Sequence, residues 1–193
     1  QGKVVRLTED GKVPPDNPFV NTAGARPEIW SYGIRNPQGM AMNPWSDALW
    51  LNEHGPRGGD EINIPEKGKN YGWPMATHGI NYSGLKIPEA KGEHVEGTEK
   101  PLFVWKVSPA VSGMAFYNSD VFPQWKNKLF IGALKEKDVI VLSVKGNTVT
   151  EDGRILGDKD QRIRDVRVGP DGYLYVLTDE TDGQLWKVSP SGS

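Results

Sequence analysis

The chain has no cysteine, and with that residue go disulfides, thiolate metal sites and thiol nucleophiles. It has little charge of one sign. Its 23 Lys and Arg stand against 25 Asp and Glu, a net charge of −2, so no overall basic field draws in nucleic acid or an anionic membrane. No apolar run approaches the roughly 20 residues of a membrane-spanning helix, and no sustained 3.6-residue apolar stripe announces a long helix. The three histidines, His54, His78 and His94, form neither H-x-x-x-H nor H-E-x-x-H, which leaves a zinc hydrolase without support. Ser112-Gly113 is not a G-x-S-x-G elbow, so serine hydrolysis lacks its signature too. Gln1 to Leu7 shows no initiator Met, apolar h-region or cleavage site, so a longer chain is expected, with any targeting segment upstream.

What is present is turn chemistry and short β runs. Of 193 residues, 23 are Gly and 15 Pro, about a fifth, and 36% are hydrophobic, enough for a core. An Asp10-Gly11 turn after Val4–Leu7 predicts a hairpin with Val13. Further strands are expected at 29–32, 39–42, 48–51, 102–107, 113–117, 128–132, 139–144, 165–168, 173–177 and 184–188. Three places repeat. Gly39-Met40-Ala41-Met42 leads into Ala48–Leu51, Gly113-Met114-Ala115-Phe116 into Lys128–Gly132, and Asp165-Val166-Arg167-Val168 into Tyr173–Leu177. Such β repeats point to an all-β fold, about three blades of a β-propeller, ahead of a β-sandwich with chance similarity among its hairpins. Three blades cannot close a ring, so further blades are expected from an upstream half or a partner chain.

In a propeller the loop entering each first strand and the loop leaving the second share one face. Those loops carry Arg35-Asn36, Lys106 with Ser108, and Arg162-Ile163-Arg164 on entry; His54-Gly55-Pro56, Lys135 and Asp179-Glu180 lie on exit. Cations gathered at an axial mouth suit a small polyanion, since guanidinium forks and ammonium groups pair with carboxylate or phosphate oxygens. The alternative is a set of solvated loop cations with Asp165 or Glu180 as surface partners. Gly58-Gly59-Asp60-Glu61 offers hard oxygen ligands suited to Ca²⁺, or a salt-bridged turn. Tyr71, Trp73 and Tyr82, set in Gly-rich loops, either stack on a ring or sugar or plug the loops against the blades.

Tyr32-Gly33-Ile34-Arg35-Asn36-Pro37-Gln38-Gly39, Glu53-His54-Gly55-Pro56, Asp60-Glu61-Ile62-Asn63 and Asn70-Tyr71-Gly72-Trp73-Pro74 together resemble the soluble pyrroloquinoline quinone (PQQ) dependent aldose sugar dehydrogenases. Gly132-Ala133-Leu134-Lys135, Gln161-Arg162-Ile163-Arg164 and Pro170-Asp171-Gly172 extend the resemblance over nearly the whole chain. It implies the C-terminal half of a six-bladed, periplasmic or secreted quinoprotein that oxidises aldose sugars at C1 to the lactone. Hydride would pass to PQQ and electrons on to an acceptor.

Residue by residue, the resemblance implies that Arg35 and Asn36 meet the quinone carbonyls, Arg35 as the electrophilic group. Lys135, Arg162 and Arg164 would hold the PQQ carboxylates. Gly55 and Pro56 would give carbonyls to the Ca²⁺ that grips PQQ, with Asp60 in support, and Tyr82 would border the cofactor. Glu61 and Tyr71 are similar to ligands of a further Ca²⁺, and Ser108 aligns with a PQQ-contacting Thr. His54 stands where the glucose enzymes of the family have a Gln beside the cofactor, which implies a cofactor-binding position. The family's general-base His, from an upstream blade, has no counterpart here. A non-catalytic propeller binding a glycan or protein partner is the alternative function, and a lactonase-type Ca²⁺ propeller is disfavoured by the basic mouth.

Overall fold

Strand formation follows the apolar alternation closely. The computed structural model describes residues 2–190. Thirteen strands run in chain order: β1 Lys3–Val5, β2 Ile29–Tyr32, β3 Pro37–Met42, β4 Leu49–Glu53, β5 Asp60–Asn63, β6 Phe103–Trp105, β7 Val111–Tyr117, β8 Lys128–Ala133, β9 Val139–Lys145, β10 Thr148–Ile155, β11 Ile163–Val168, β12 Leu174–Thr178 and β13 Leu185–Val188. They pair antiparallel into four sheets: β1-β2, β3-β4-β5-β6, β7-β8-β9-β10 and β11-β12-β13. The last three are propeller blades, and each repeated sequence forms the first two strands of one. The contacts between blades run mainly through the first strands, β3 against β7 and β7 against β11.

The blades face each other rather than water, which is why β8 and β9 read as almost continuous apolar runs. Side chains alternate across each strand. Leu129, Ile131, Ile140 and Leu142, with Met114 of β7, pack against Trp50, Ile62 and Trp105 of the first blade. Their neighbours Phe130, Val139 and Val141 pack with Ile163, Val166, Leu174 and Val176 of the third. The middle blade is the shared wall of two cores.

The repeat has a steric cause. A Cβ at Gly39 would lie 2.6 Å from the Ser112 carbonyl, and one at Gly113 would lie 1.7 Å from Asp165 Oδ1. The third residue of one inner strand thus presses on the next inner strand. Each inner strand also carries a register break at its start: Pro37/Gly39, Val111/Met114 and Ile163/Asp165. Such bulges leave backbone groups without ladder partners. Fully buried Asn52 serves two of these, accepting from Gly39 N–H at 2.9 Å and donating to the Ser112 carbonyl at 2.9 Å. The Ser112 hydroxyl then donates to the Ile163 carbonyl at 2.7 Å. Side-chain hydrogen bonds therefore staple β3 to β7 and β7 to β11.

One expectation is corrected, and two strands lie outside those expected. The Asp10-Gly11 turn forms, with Gly11 N–H on the Thr8 carbonyl, but Val4 pairs with Ser31 of β2 and not with Val13. Pro14 and Pro15 follow Val13 and offer no N–H for a ladder. Strand β5 was not anticipated because three of its four residues are polar, and they are buried at the site described below. Strand β10, charged and half-exposed, is the outer edge of its blade.

Gly113→Ala is expected to cost about 1–3 kcal/mol, as overpacking does, and to lower the thermal midpoint by several degrees. Gly92→Ala, whose new Cβ would meet only the His94 carbonyl at 3.7 Å, should melt within about one degree of the parent. Circular dichroism melts of both variants check this.

Candidate functional site

The bulges that staple the inner strands also aim side chains at one end of the axis. Residues skipped by the ladder include Gln38 on β3 and Arg164 on β11. They meet across three blades, with Arg164 Nη1 3.4 Å from Gln38 Oε1. Gln38 Nε2 in turn donates to Asn36 Oδ1 at 3.1 Å, and Asn36 Nδ2 lies 3.5 Å from His54 Nδ1. His54 Nε2 contacts the Val111 carbonyl at 2.6 Å. A carbonyl only accepts, so Nε2 carries the proton and Nδ1 is left to accept from Asn36. The ring thereby ties the first blade to the second.

The cations gather at the same end. Arg162 donates Nε and Nη2 to Asp179 Oδ2 at 3.2 and 2.9 Å, and Nη1 reaches the Leu134 carbonyl at 3.4 Å. Arg164 donates Nε to Asp179 Oδ1 at 3.1 Å and Nη2 to Oδ2 at 2.9 Å. The two guanidiniums, Arg164 first, hold the Asp179 carboxyl below the usual carboxylate range. Lys135 Nζ reaches the Ser108 carbonyl at 3.3 Å and Glu136 at 3.3 Å. The arginines' surface partner is thus Asp179, whereas Asp165 pairs with Arg167 at 2.9 Å and Glu180 accepts only from the Arg162 backbone N–H.

Beside this mouth lies a small cavity of about 20 Å³ lined by Arg35, Glu53, His54, Gly55, Gly59, Glu61, Tyr71, Trp73, Ala76 and Thr77. The Arg35 guanidinium donates to the carbonyls of His54 (3.2 Å) and Gly55 (2.9 Å) and sits 5.2 Å from the centre of the Trp73 ring. Glu53 and Glu61 stand directly opposite each other on β4 and β5. Glu53 Oε2 accepts from the backbone N–H groups of Arg35 and Asn36, and Asn63 Nδ2 donates to both carboxylates. Burial, and then the facing Glu61, push the Glu53 carboxyl up to about 8. Burial foremost, opposed by the Asn63 amide and reinforced by Asp60, pushes Glu61 up to about 7. The Asn63 side-chain amide oxygen, Oδ1, is buried with no hydrogen-bond partner. Among the described residues no three His, Cys, Asp or Glu side chains are arranged as a metal cage, so a cation here would also draw on carbonyl and amide oxygens.

Other residues singled out in the sequence are placed as follows. Asp60 is fully buried and accepts from Gly55 N–H, Ser108 Oγ and Val111 N–H, which makes it a brace beneath the Gly55 loop. Ser108 is committed to Asp60 and to the Ala110 N–H. The Tyr71 hydroxyl donates to the Ile64 carbonyl and accepts from Glu66 N–H, so Tyr71 plugs its loop. Tyr82 is 70% exposed, on the 64–102 excursion that climbs to pair Ile80 with Arg57. His78 faces Glu93 at 3.5 Å. Glu53, Gln38 and Asn63 were not assigned roles from sequence. Their signal was position, in the motif segments at strand ends.

Residues 1–187 match the family model described as Glucose / Sorbosone dehydrogenase. The chain is 80% identical over 190 residues to aldose sugar dehydrogenase YliI of Escherichia coli (strain K12), covering 98% of this chain and 51% of that protein. Among solved structures it superposes on the soluble aldose sugar dehydrogenase of Escherichia coli in its apo-form with a TM-score of 0.97 and 79% identity, covering 98% of this chain and 55% of that one. It also superposes on the PQQ-bound form of the aldose sugar dehydrogenase of Streptomyces coelicolor with a TM-score of 0.72 and 27% identity, covering 96% and 51%. The chain spans about half the length of these relatives.

The opposed carboxylates make a pH prediction. In the fold they hold protons that the unfolded chain, with ordinary carboxylates near 4.5, releases. Stability from this pair is therefore full below about pH 4.5 and is lost as pH rises through about 7 and then about 8. With divalent cations chelated, the thermal midpoint should decline between pH 5 and 8 faster in the parent than in Glu53→Gln; parallel melting curves for the two would contradict it.

Proposed function

The chain belongs to the glucose/sorbosone dehydrogenase family, and from that premise we propose that it forms the cofactor-holding blades of a PQQ- and Ca²⁺-dependent aldose sugar dehydrogenase. The sugar is oxidised at C1 to the lactone, and electrons leave to an acceptor. The observation that carries this reading is the convergence of Lys135, Arg162 and Arg164 on the mouth that also holds Arg35 and Asn36.

These residues suit the group. Cations on neighbouring blades match a small polycarboxylate, and forked guanidinium contacts give it orientation as well as affinity. Acceptance of hydride from the sugar is the chemistry that PQQ supplies when bound. Arg35, held by two carbonyls and the Trp73 ring, is an electrophilic group oriented before substrate arrives, placed to stabilise negative charge on oxygen. The Asn36 amide is oriented from both sides, by His54 and by Gln38. His54 serves that positioning, its Nε2–H donating to the Val111 carbonyl and its Nδ1 lone pair facing the Asn36 amide. The base that takes the C1 hydroxyl proton, and the blades that complete the ring, are assigned to the rest of the protein.

A divalent cation also suits the donors. The Gly55 carbonyl already faces positive charge, that of Arg35, and the Glu53 and Glu61 carboxyls, which burial foremost pushes up, would be drawn back toward ionisation by a cation beside them. The Gly55 and Pro56 carbonyls would serve one Ca²⁺. Glu61 would serve a second, with the Tyr71 main-chain carbonyl, since the Tyr71 hydroxyl is engaged elsewhere.

Titration with PQQ, followed by Trp fluorescence because Trp73 lies at the mouth, should show saturable binding that chelation of Ca²⁺ weakens. Arg162→Ala with Arg164→Ala should weaken PQQ by about a hundredfold, the scale of two lost charge-assisted contacts, with an unchanged melt. Unchanged PQQ affinity in a folded double variant would overturn the cradle.

A further inference from the structure

Arg162 and Arg164 stand side by side, and two adjacent guanidiniums left to themselves repel and splay into solvent. They do not splay because one carboxylate takes an edge of each. Asp179 ends the exit from β12, its backbone N–H bonded to the Arg162 carbonyl at 2.8 Å, so its own position is set by the ladder. Its oxygens engage the Nε and Nη2 groups of both arginines, all within 3.2 Å. The Nη1 groups make only long contacts at 3.4 Å, to Leu134 and to Gln38. In both arginines the Nε/Nη2 edge is thus occupied, leaving the Nη1/Nη2 end to meet a ligand.

We propose that Asp179 is a positioning residue for the polycarboxylate cofactor: it turns the two guanidiniums into a fixed pair of forks, with Gln38 linking Arg164 to Asn36 across the axis. The inference rests on the PQQ reading above and adds a residue that touches no ligand. It has an unusual sign. By Coulomb attraction alone, deleting a negative charge beside the binding cations should tighten a trianion. By preorganisation, deleting it should weaken the trianion, because the forks must then be ordered when the ligand arrives.

The experiment is PQQ binding to the full chain carrying Asp179→Asn, which keeps shape and removes charge, and Asp179→Ala, each with a thermal melt. Preorganisation predicts about tenfold weaker PQQ for both variants, with Asp179→Glu recovering part of the loss. Unchanged or tighter PQQ in a folded Asp179→Asn would overturn the proposal. Arg162→Ala with Arg164→Ala, run alongside, separates the two ideas. If that double variant binds PQQ as the parent does, the cofactor reading fails and takes this one with it. If the double variant loses PQQ while both neutral Asp179 variants keep it, the positioning role alone fails.

Discussion

Inner strands packed too closely for a side chain at Gly39 of β3 and at Gly113 of β7 are the constraint from which the rest follows. Where β3 meets β7 and β7 meets β11, backbone stands where a Cβ would otherwise be, so Gly39 and Gly113 are required. Close approach also breaks the ladder register at each strand's start, and the freed groups are taken up by Asn52 and Ser112. Packing and polar satisfaction are thus solved by the same few residues. The bulges that result turn Gln38 and Arg164 onto the axis, so the mouth is a by-product of how the blades are stapled.

Electrostatics at that mouth is arranged in two layers. Outward, Arg162, Arg164 and Lys135 are partly exposed, with Asp179 bridging the two arginines and Glu136 beside the lysine. Inward, Glu53 and Glu61 face each other out of water, and burial makes each hold its proton. The outer layer is suited to an anion and the inner one to a cation. Arg35 stands between them, with its backbone N–H on Glu53 and its guanidinium on the carbonyls of the His54-Gly55 turn. A fold that buries two opposed acids for stability alone would be poorly built; the arrangement makes sense as a socket.

Much of this was legible in the residues. Alternation and turn signals located most of the strands, and the Gly-Met-Ala repeats marked inner strands. Blade topology puts the loop cations at one mouth, and in the structure Arg162 and Arg164 share Asp179, with Arg164 reaching Gln38 and Arg162 the Leu134 carbonyl. What misled was local. Asp10-Gly11 signalled a hairpin that Pro14 and Pro15 prevent, and Asp60–Asn63 read as loop because polar residues ordinarily stay outside. Tyr71, Trp73 and Tyr82, alike in composition, have three different fates: one plugged, one over Arg35, one exposed.

The sequence by itself determined the β class, the repeated blade and the set of charged residues at strand ends, because alternation, turn chemistry and repeat period are local properties of the chain. Only the tertiary structure decided which charges meet. Asp179 rather than Asp165 braces the arginines, Gln38 touches a guanidinium 126 residues away, and Glu53 finds Glu61 across a strand pair. Those pairings depend on bulge positions and on the spacing between blades, which are set by packing over distances that no local pattern encodes.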